Sequence, residues 1–174
     1  TVDSKIGGDI LGRAAFYEKE GKGIDFPFPK LFGRLADETI LKYQLNENRY
    51  MEALARISEI NYSNAKRNPM AQTRKWFMSL DQARDRGSST NPFVGGRLAS
   101  SDCSQVTDGA AVVVLCSEGY IRERGITDAP IVKGWGHRVA PVLFDKKLEE
   151  AKDSPYVLPW VRQAVLDAYQ RSGL

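Results

Sequence analysis

The chain has 174 residues, a mass of 19.4 kDa and a formal net charge of +3. Hydrophobic residues make up 42% and charged residues 27%, enough for a folded core and too apolar for intrinsic disorder. The small, dispersed positive excess suits an anionic small ligand better than a nucleic-acid backbone, and no apolar run approaches the roughly 20 residues of a membrane-spanning helix.

Taken in order, residues 6–17 place Ile6, Ile10, Leu11, Ala14 and Ala15 at helical spacing, although Gly7, Gly8 and Gly12 weaken it. A turn-rich loop over 21–29 follows, anchored by Phe26 and Phe28 between glycines and prolines. Three helices are expected next, over 31–43, 49–65 and 70–84. In the second, Tyr50, Leu54, Ile57 and Asn61 follow i, i+4, i+7, i+11. Pro69 interrupts the run and is placed to open the third helix. The first half therefore reads as all helical.

Composition shifts after Gly87. The continuous apolar run 110–116, bounded by Gly109 and Ser117, predicts a strand buried on both faces. A short helix to Arg124 closes at Gly125. Residues 131–143 read as a strand region broken by Gly134, Gly136 and Pro141. The last helix begins near Pro155 or Pro159. It sets Val161, Ala164, Val165, Ala168 and Tyr169 on one face and stops at Gly173. Two regions are expected: 1–90, mostly helical, and 91–174, the opening of an α/β core. No repeat or low-complexity tract interrupts them.

Cys103 and Cys116 are the two cysteines, too few for a disulfide framework or a zinc site, and they read as reduced thiols of an intracellular protein. His137 is the single histidine, so no mechanism needing two imidazoles runs on this chain alone. The chain shows no signal-peptide pattern. It begins at Thr1 without a methionine, and either end is readable as a cut.

The sharpest local feature is Asp108-Gly109 before the apolar run, with Ser104 and Thr107 in its approach. The stretch Asp102-Cys103-Ser104-Gln105-Val106-Thr107-Asp108-Gly109-Ala110-Ala111 and the valines after it resemble the thiolase segment that leads into a central strand of the C-terminal core domain. Upstream, Asn68-Pro69-Met70-Ala71-Gln72 and the helix before it resemble the thiolase loop domain. Asn91-Pro92 lies between the two matches, in the family's order. Ala168 to Leu174 resembles a helix end before a further core strand. The likeness is closest to sterol-carrier-protein type thiolases.

The resemblance implies a partial thiolase-like α/β fold: a helical loop domain followed by part of an αβ core layer. It implies a part in acyl-CoA C-acyltransferase chemistry, the thiolytic cleavage or Claisen condensation of acyl-CoA. In that chemistry a nucleophilic Cys carries the acyl group, a second Cys and a His move protons, and an oxyanion hole stabilises the enolate. None of those motifs is visible, so the chain carries no catalytic residue and is expected to be inactive alone. Coenzyme A thioester enters as substrate, with no tightly bound cofactor. Ser104 matches the family serine beside the pantetheine arm; a turn cap is the equal alternative. Lys66 and Arg67, with Arg74 and Lys75, are candidates for the CoA phosphates, against the plainer reading of a solvated helix face. Cys103, Cys116 and His137 are read as structural, and the Phe26–Phe32 aromatic run as either an acyl pocket or a loop anchor.

Two other readings compete. One is a thiolase-fold aldolase subunit of the steroid side-chain type. The other is a non-catalytic CoA- or lipid-binding module. A slice of a layered core would also expose the flanks of 110–116. The expected partners are therefore acyl-CoA and either the remainder of the polypeptide or another copy in a homo-oligomer, with no nucleic acid and no membrane span.

Overall fold

The computed structural model describes Ile6, Ile10, Glu20, Gly21, Ile24, residues 27–105, Thr107 and residues 109–174. The helix expected over 6–17 falls outside these residues apart from Ile6 and Ile10, and Asp108 falls outside them too.

Helix α1 runs Pro27–Lys42. It starts earlier than the sequence suggests, because Pro27 and Pro29 fit a first turn whose N–H groups have no helical acceptor. Helix α2 runs Glu47–Arg67. Asn46 caps it by accepting the Arg49 N–H at 2.9 Å, and Lys66 and Arg67 complement the negative end of its dipole. The third helix expected over 70–84 is mostly absent. The Asn68 side chain accepts the Met70 N–H at 2.9 Å, which turns the chain locally instead of continuing a helix. Only α3, Leu80–Arg84, forms, and it starts at a reciprocal cap between Ser79 and Gln82.

A hairpin missed in the sequence follows. Strand β1, Phe93–Gly95, pairs antiparallel with β2, Leu98–Ala99, through a turn at Gly96 and Arg97. Gly96 takes φ +58°, the left-handed conformation such a tight turn asks for. Gly95 and Gly33 lie backbone to backbone, so the hairpin sits directly on α1. Arg97 in the turn bridges Asp37 of α1 and Glu47 of α2. A single 3-10 turn, Ser100–Asp102, comes next.

The expected α/β layer is not formed among the described residues. Residues 110–116 pair with no strand and face solvent: Val112 is 87% exposed and Leu115 79%. A Val-rich run has the side chains for a buried strand, but a strand also needs neighbours to take up its backbone groups, and the described residues supply none. The region 131–143 likewise forms no strand. Its first part packs against a helix. Helix α6, Pro159–Ser172, begins at a proline and ends at Gly173 with φ +74°, as its pattern predicts. Gly134 lies against Ala168, and Gly136 against Ala164. Two residues of the segment thus match four of the helix, the advance of an extended chain at about 3.3 Å per residue beside a helix at about 1.5 Å. Arg138 pairs with Asp167 at 2.8 Å, and the Arg171 guanidinium lies 3.9 Å from the Trp135 ring centre. A β-carbon at position 136 would overlap the Ala164 carbonyl oxygen. Gly136→Val is therefore expected to lift 131–139 off α6 and speed limited proteolysis there severalfold. Gly109→Ala, which meets open space, should leave the rate unchanged.

Two short helices complete the chain: α4, Glu118–Glu123, and α5, Phe144–Glu150. The former matches the expectation; the latter was missed. The Glu20 carboxylate accepts the N–H groups of Phe144 and Asp145 at 2.9 and 3.0 Å, a cap supplied from more than a hundred residues away. The Lys42 ammonium donates to the Ala151 carbonyl at 3.0 Å, which ties the end of α5 to α1. No helix among the described residues is long and apolar enough to cross a membrane.

Candidate functional site

Asn91 is the largest fully buried side chain among the described residues. Its amide nitrogen donates to the carbonyls of Ala83 at 3.2 Å and Gln82 at 3.4 Å. Its oxygen accepts the Ser101 N–H at 3.0 Å and the Ser100 hydroxyl at 3.2 Å. One side chain thereby joins the end of α3 to the 3-10 turn. From the other side, the Ser58 hydroxyl of α2 donates to the Ser101 carbonyl at 2.9 Å and shares its proton with Leu54 O at 3.1 Å. Beneath the turn, Arg86 and Asp102 form an ion pair whose side chains are 8% and 6% exposed. The pair is two-pronged, with a second contact at 3.2 Å. Arg86 also donates to Arg97 O at 3.0 Å, and Asp102 accepts the Ala99 N–H at 2.8 Å. Such a network fixes the chain leaving the turn, Cys103-Ser104-Gln105, because moving it would strand several buried polar groups.

That exit segment stands between two cavities. The first, of about 430 Å³, is walled by polar side chains of α2, of the 72–73 turn and of the segment itself: Ser58, Asn61, Gln72, Thr73, Ser104 and Gln105. Thr107 donates a hydrogen bond to the Gln72 side-chain oxygen across its rim. The second, of about 610 Å³, lies toward α1 and is walled by Phe28, Phe32, Leu35, Tyr50, Leu54 and Leu98. Asp102, Cys103 and Ser104 line both. The two sequence segments singled out above, 68–72 and 102–107, therefore meet at one cleft.

Ser104 is exposed on the stretch of wall that the two cavities share. Its hydroxyl is open to a ligand in the cleft. Lys66 and Arg67 are not brought to the cleft wall. Both are exposed at the end of α2, and the Lys66 ammonium sits 4.3 Å from the Phe77 ring centre. His137 is exposed and lies away from both cavities. Among the described residues no cluster of His, Cys, Asp and Glu is placed to hold a metal ion.

Cys103 is half-buried, and burial pushes its thiol up, with the Asp102 carboxylate adding to the rise. A raised value leaves less thiolate at neutral pH. Alkylation followed by mass spectrometry is expected to label the exposed Cys116 first at pH 7.5. Cys103 should catch up only as the pH is raised into the alkaline range. Equal rates at pH 7.5 would contradict this placement.

The sequence reading missed Asn61, Gln72, Thr73 and Gln105. Asn61 carried a signal, since it is the polar member of an otherwise apolar helical line. The structure gives the reason. The line passes along the second cavity at Tyr50 and Leu54 and reaches the first at Asn61, while Ile57 between them is exposed and lines neither.

No protein-family model matches the chain. Over 104 residues it is 34% identical to an acetyl-CoA acetyltransferase of Methanothermobacter thermautotrophicus. The match covers 60% of this chain and 24% of that protein, so the shared stretch is about a quarter of the relative's length.

Proposed function

We propose that the chain supplies the helical cover and the opening of the αβ core of a thiolase-family acyl-CoA C-acyltransferase, of the sterol-carrier-protein type. In this reading it contributes the surface that holds the coenzyme A thioester, and the catalytic Cys and His come from outside residues 1–174. The carrying observation is the polar cleft at Ser104, formed where the two thiolase-like segments meet. A pantetheine arm has two amides. The amide side chains of Asn61, Gln72 and Gln105 and the open Ser104 hydroxyl offer donors and acceptors for them. Lys66 and Arg67, exposed just before the 68–72 turn, would meet the phosphates from the solvent side.

Calorimetric titration of the 174-residue chain with coenzyme A tests this. Binding is expected without thiolysis of acetoacetyl-CoA. Ser104→Ala should weaken binding about 3- to 10-fold, the worth of one hydrogen bond. Lys66→Gln with Arg67→Gln should remove the difference between coenzyme A and its dephospho form. No binding at millimolar coenzyme A would reject the reading.

A further inference from the structure

We infer that the segment 66–77, running from the end of α2 toward α3, is a docking surface for an anionic lipid membrane, which it enters from one side without spanning. The inference goes beyond the proposed function and does not depend on it. Lys66, Arg67, Arg74 and Lys75 are all exposed. No acidic residue lies between Glu59 and Asp81, and these four cations alone exceed the chain's net charge of +3. The positive excess of the chain is therefore concentrated in this one segment. Exposed apolar side chains stand among the cations: Met70 is 88% exposed, Phe77 65% and Trp76 45%. Large apolar groups left in solvent and rimmed by polar ones mark an interaction surface.

The backbone gathers these groups into a knob. The N–H groups of Ala71, Arg74 and Trp76 donate to the carbonyls of Asn68, Ala71 and Thr73 at 3.2, 3.2 and 2.9 Å, three tight turns in succession. The Lys66 ammonium lies 4.3 Å from the Phe77 ring centre, so the two ends of the segment meet. Cations and apolar tips carried together fit a membrane interface. Headgroup phosphates pair with the Lys and Arg heads, while Trp, Phe and Met enter the boundary between headgroups and acyl chains. The methylenes of Lys and Arg lie along the same apolar layer. A single-stranded nucleic acid uses aromatic faces for stacking, and Met70, the most exposed of the three, has none to offer. Gln72 and Thr73, within the same turns, line the polar cleft, so the docked knob holds that cleft beside the lipid surface.

Flotation of the 174-residue chain with lipid vesicles tests this, because aggregated protein sinks and does not float. Vesicles of phosphatidylcholine with about one-third phosphatidylglycerol are compared with phosphatidylcholine alone. The chain is expected to bind the anionic vesicles at least tenfold more tightly, and less so as salt is raised. Each cation at such a surface is worth about fivefold in affinity, so Arg74→Gln with Lys75→Gln should weaken binding at least tenfold. Trp76→Ser with Phe77→Ser should do the same. Met70→Ser, a change at an exposed side chain that leaves the fold alone, should weaken it severalfold. Val113→Gln with Leu115→Gln, on the exposed apolar run, should leave it unchanged. In a chain with Trp135→Phe and Trp160→Phe, the emission of Trp76 should shift to the blue on anionic vesicles and be quenched by brominated acyl chains. Equal binding to both vesicles overturns the inference, as does binding that survives the Arg74 and Lys75 changes or is lost in the Val113 and Leu115 variant instead. So does binding without quenching of Trp76. If a single-stranded oligonucleotide quenches Trp76 and vesicles do not, the knob reads nucleic acid and the inference falls. Coenzyme A titration reads the proposed function separately, so either can fail alone.

Discussion

Replacing Asp102 by alanine is expected to lower unfolding stability by roughly 3–5 kcal/mol, the usual loss when one partner of a buried ion pair is removed. The size follows from what remains. Arg86, 8% exposed in the native protein, keeps its charge and, among the described residues, retains the Arg97 carbonyl as its partner. Its Nε is already buried without one. The Ala99 N–H loses its acceptor at the same time. The 3-10 turn should then loosen, and coenzyme A affinity should fall with it even where the protein is still folded. Denaturant unfolding checks the stability, and a loss under 1 kcal/mol would show that the pair is not the keystone of the turn. In the double variant Arg86→Met with Asp102→Leu no charge is left stranded. It should lose clearly less than the sum of the two single changes.

The second large effect concerns association. Residues 112–115 are each at least 79% exposed and form four successive apolar side chains with no strand beside them. Ile131, Val132 and Val139 are exposed to a similar degree in the neighbouring expected strand region. An unpaired apolar segment of this kind is a template for pairing with another chain. Sedimentation velocity is expected to show self-association of the 174-residue chain at about 10–100 micromolar, where exposed apolar surface and open edges drive it. Val113→Lys with Leu115→Lys puts two charges on one side of an extended segment. That variant should sediment as a monomer with unchanged helix content. A wild-type chain that is monomeric throughout would show that the run is covered in some other way.

The helices were the legible part, for a local reason. The line Tyr50, Leu54, Ile57, Asn61 and the stop at Gly173 depend on residues within a turn or two of one another, and α2 and α6 appear close to where they were placed. The expected helix over 70–84 failed because a hydrogen bond from the Met70 N–H to the Asn68 side-chain oxygen competed locally with the helix, a competition that an apolar count does not register. The hairpin was missed although Val94-Gly95-Gly96-Arg97-Leu98 holds a turn signal. Its strands are two and three residues long and are held by α1 through Gly33 more than by their own pairing.

By itself the sequence determined the helix-forming lines and the apolar character of 110–116, because composition and spacing along the chain carry those properties; Ser104 became a candidate through the family resemblance of the segment around it. The tertiary structure alone decided the rest. It brought Gln72 to Thr107, Ser58 to Ser101 and Arg86 to Asp102 from positions far apart in the chain. It left Lys66 and Arg67 off the cleft wall and the valine run without strand neighbours. Local pattern says what a segment can pair with. Whether the partner is there depends on which residues the rest of the fold brings within hydrogen-bonding distance, and no periodicity encodes that.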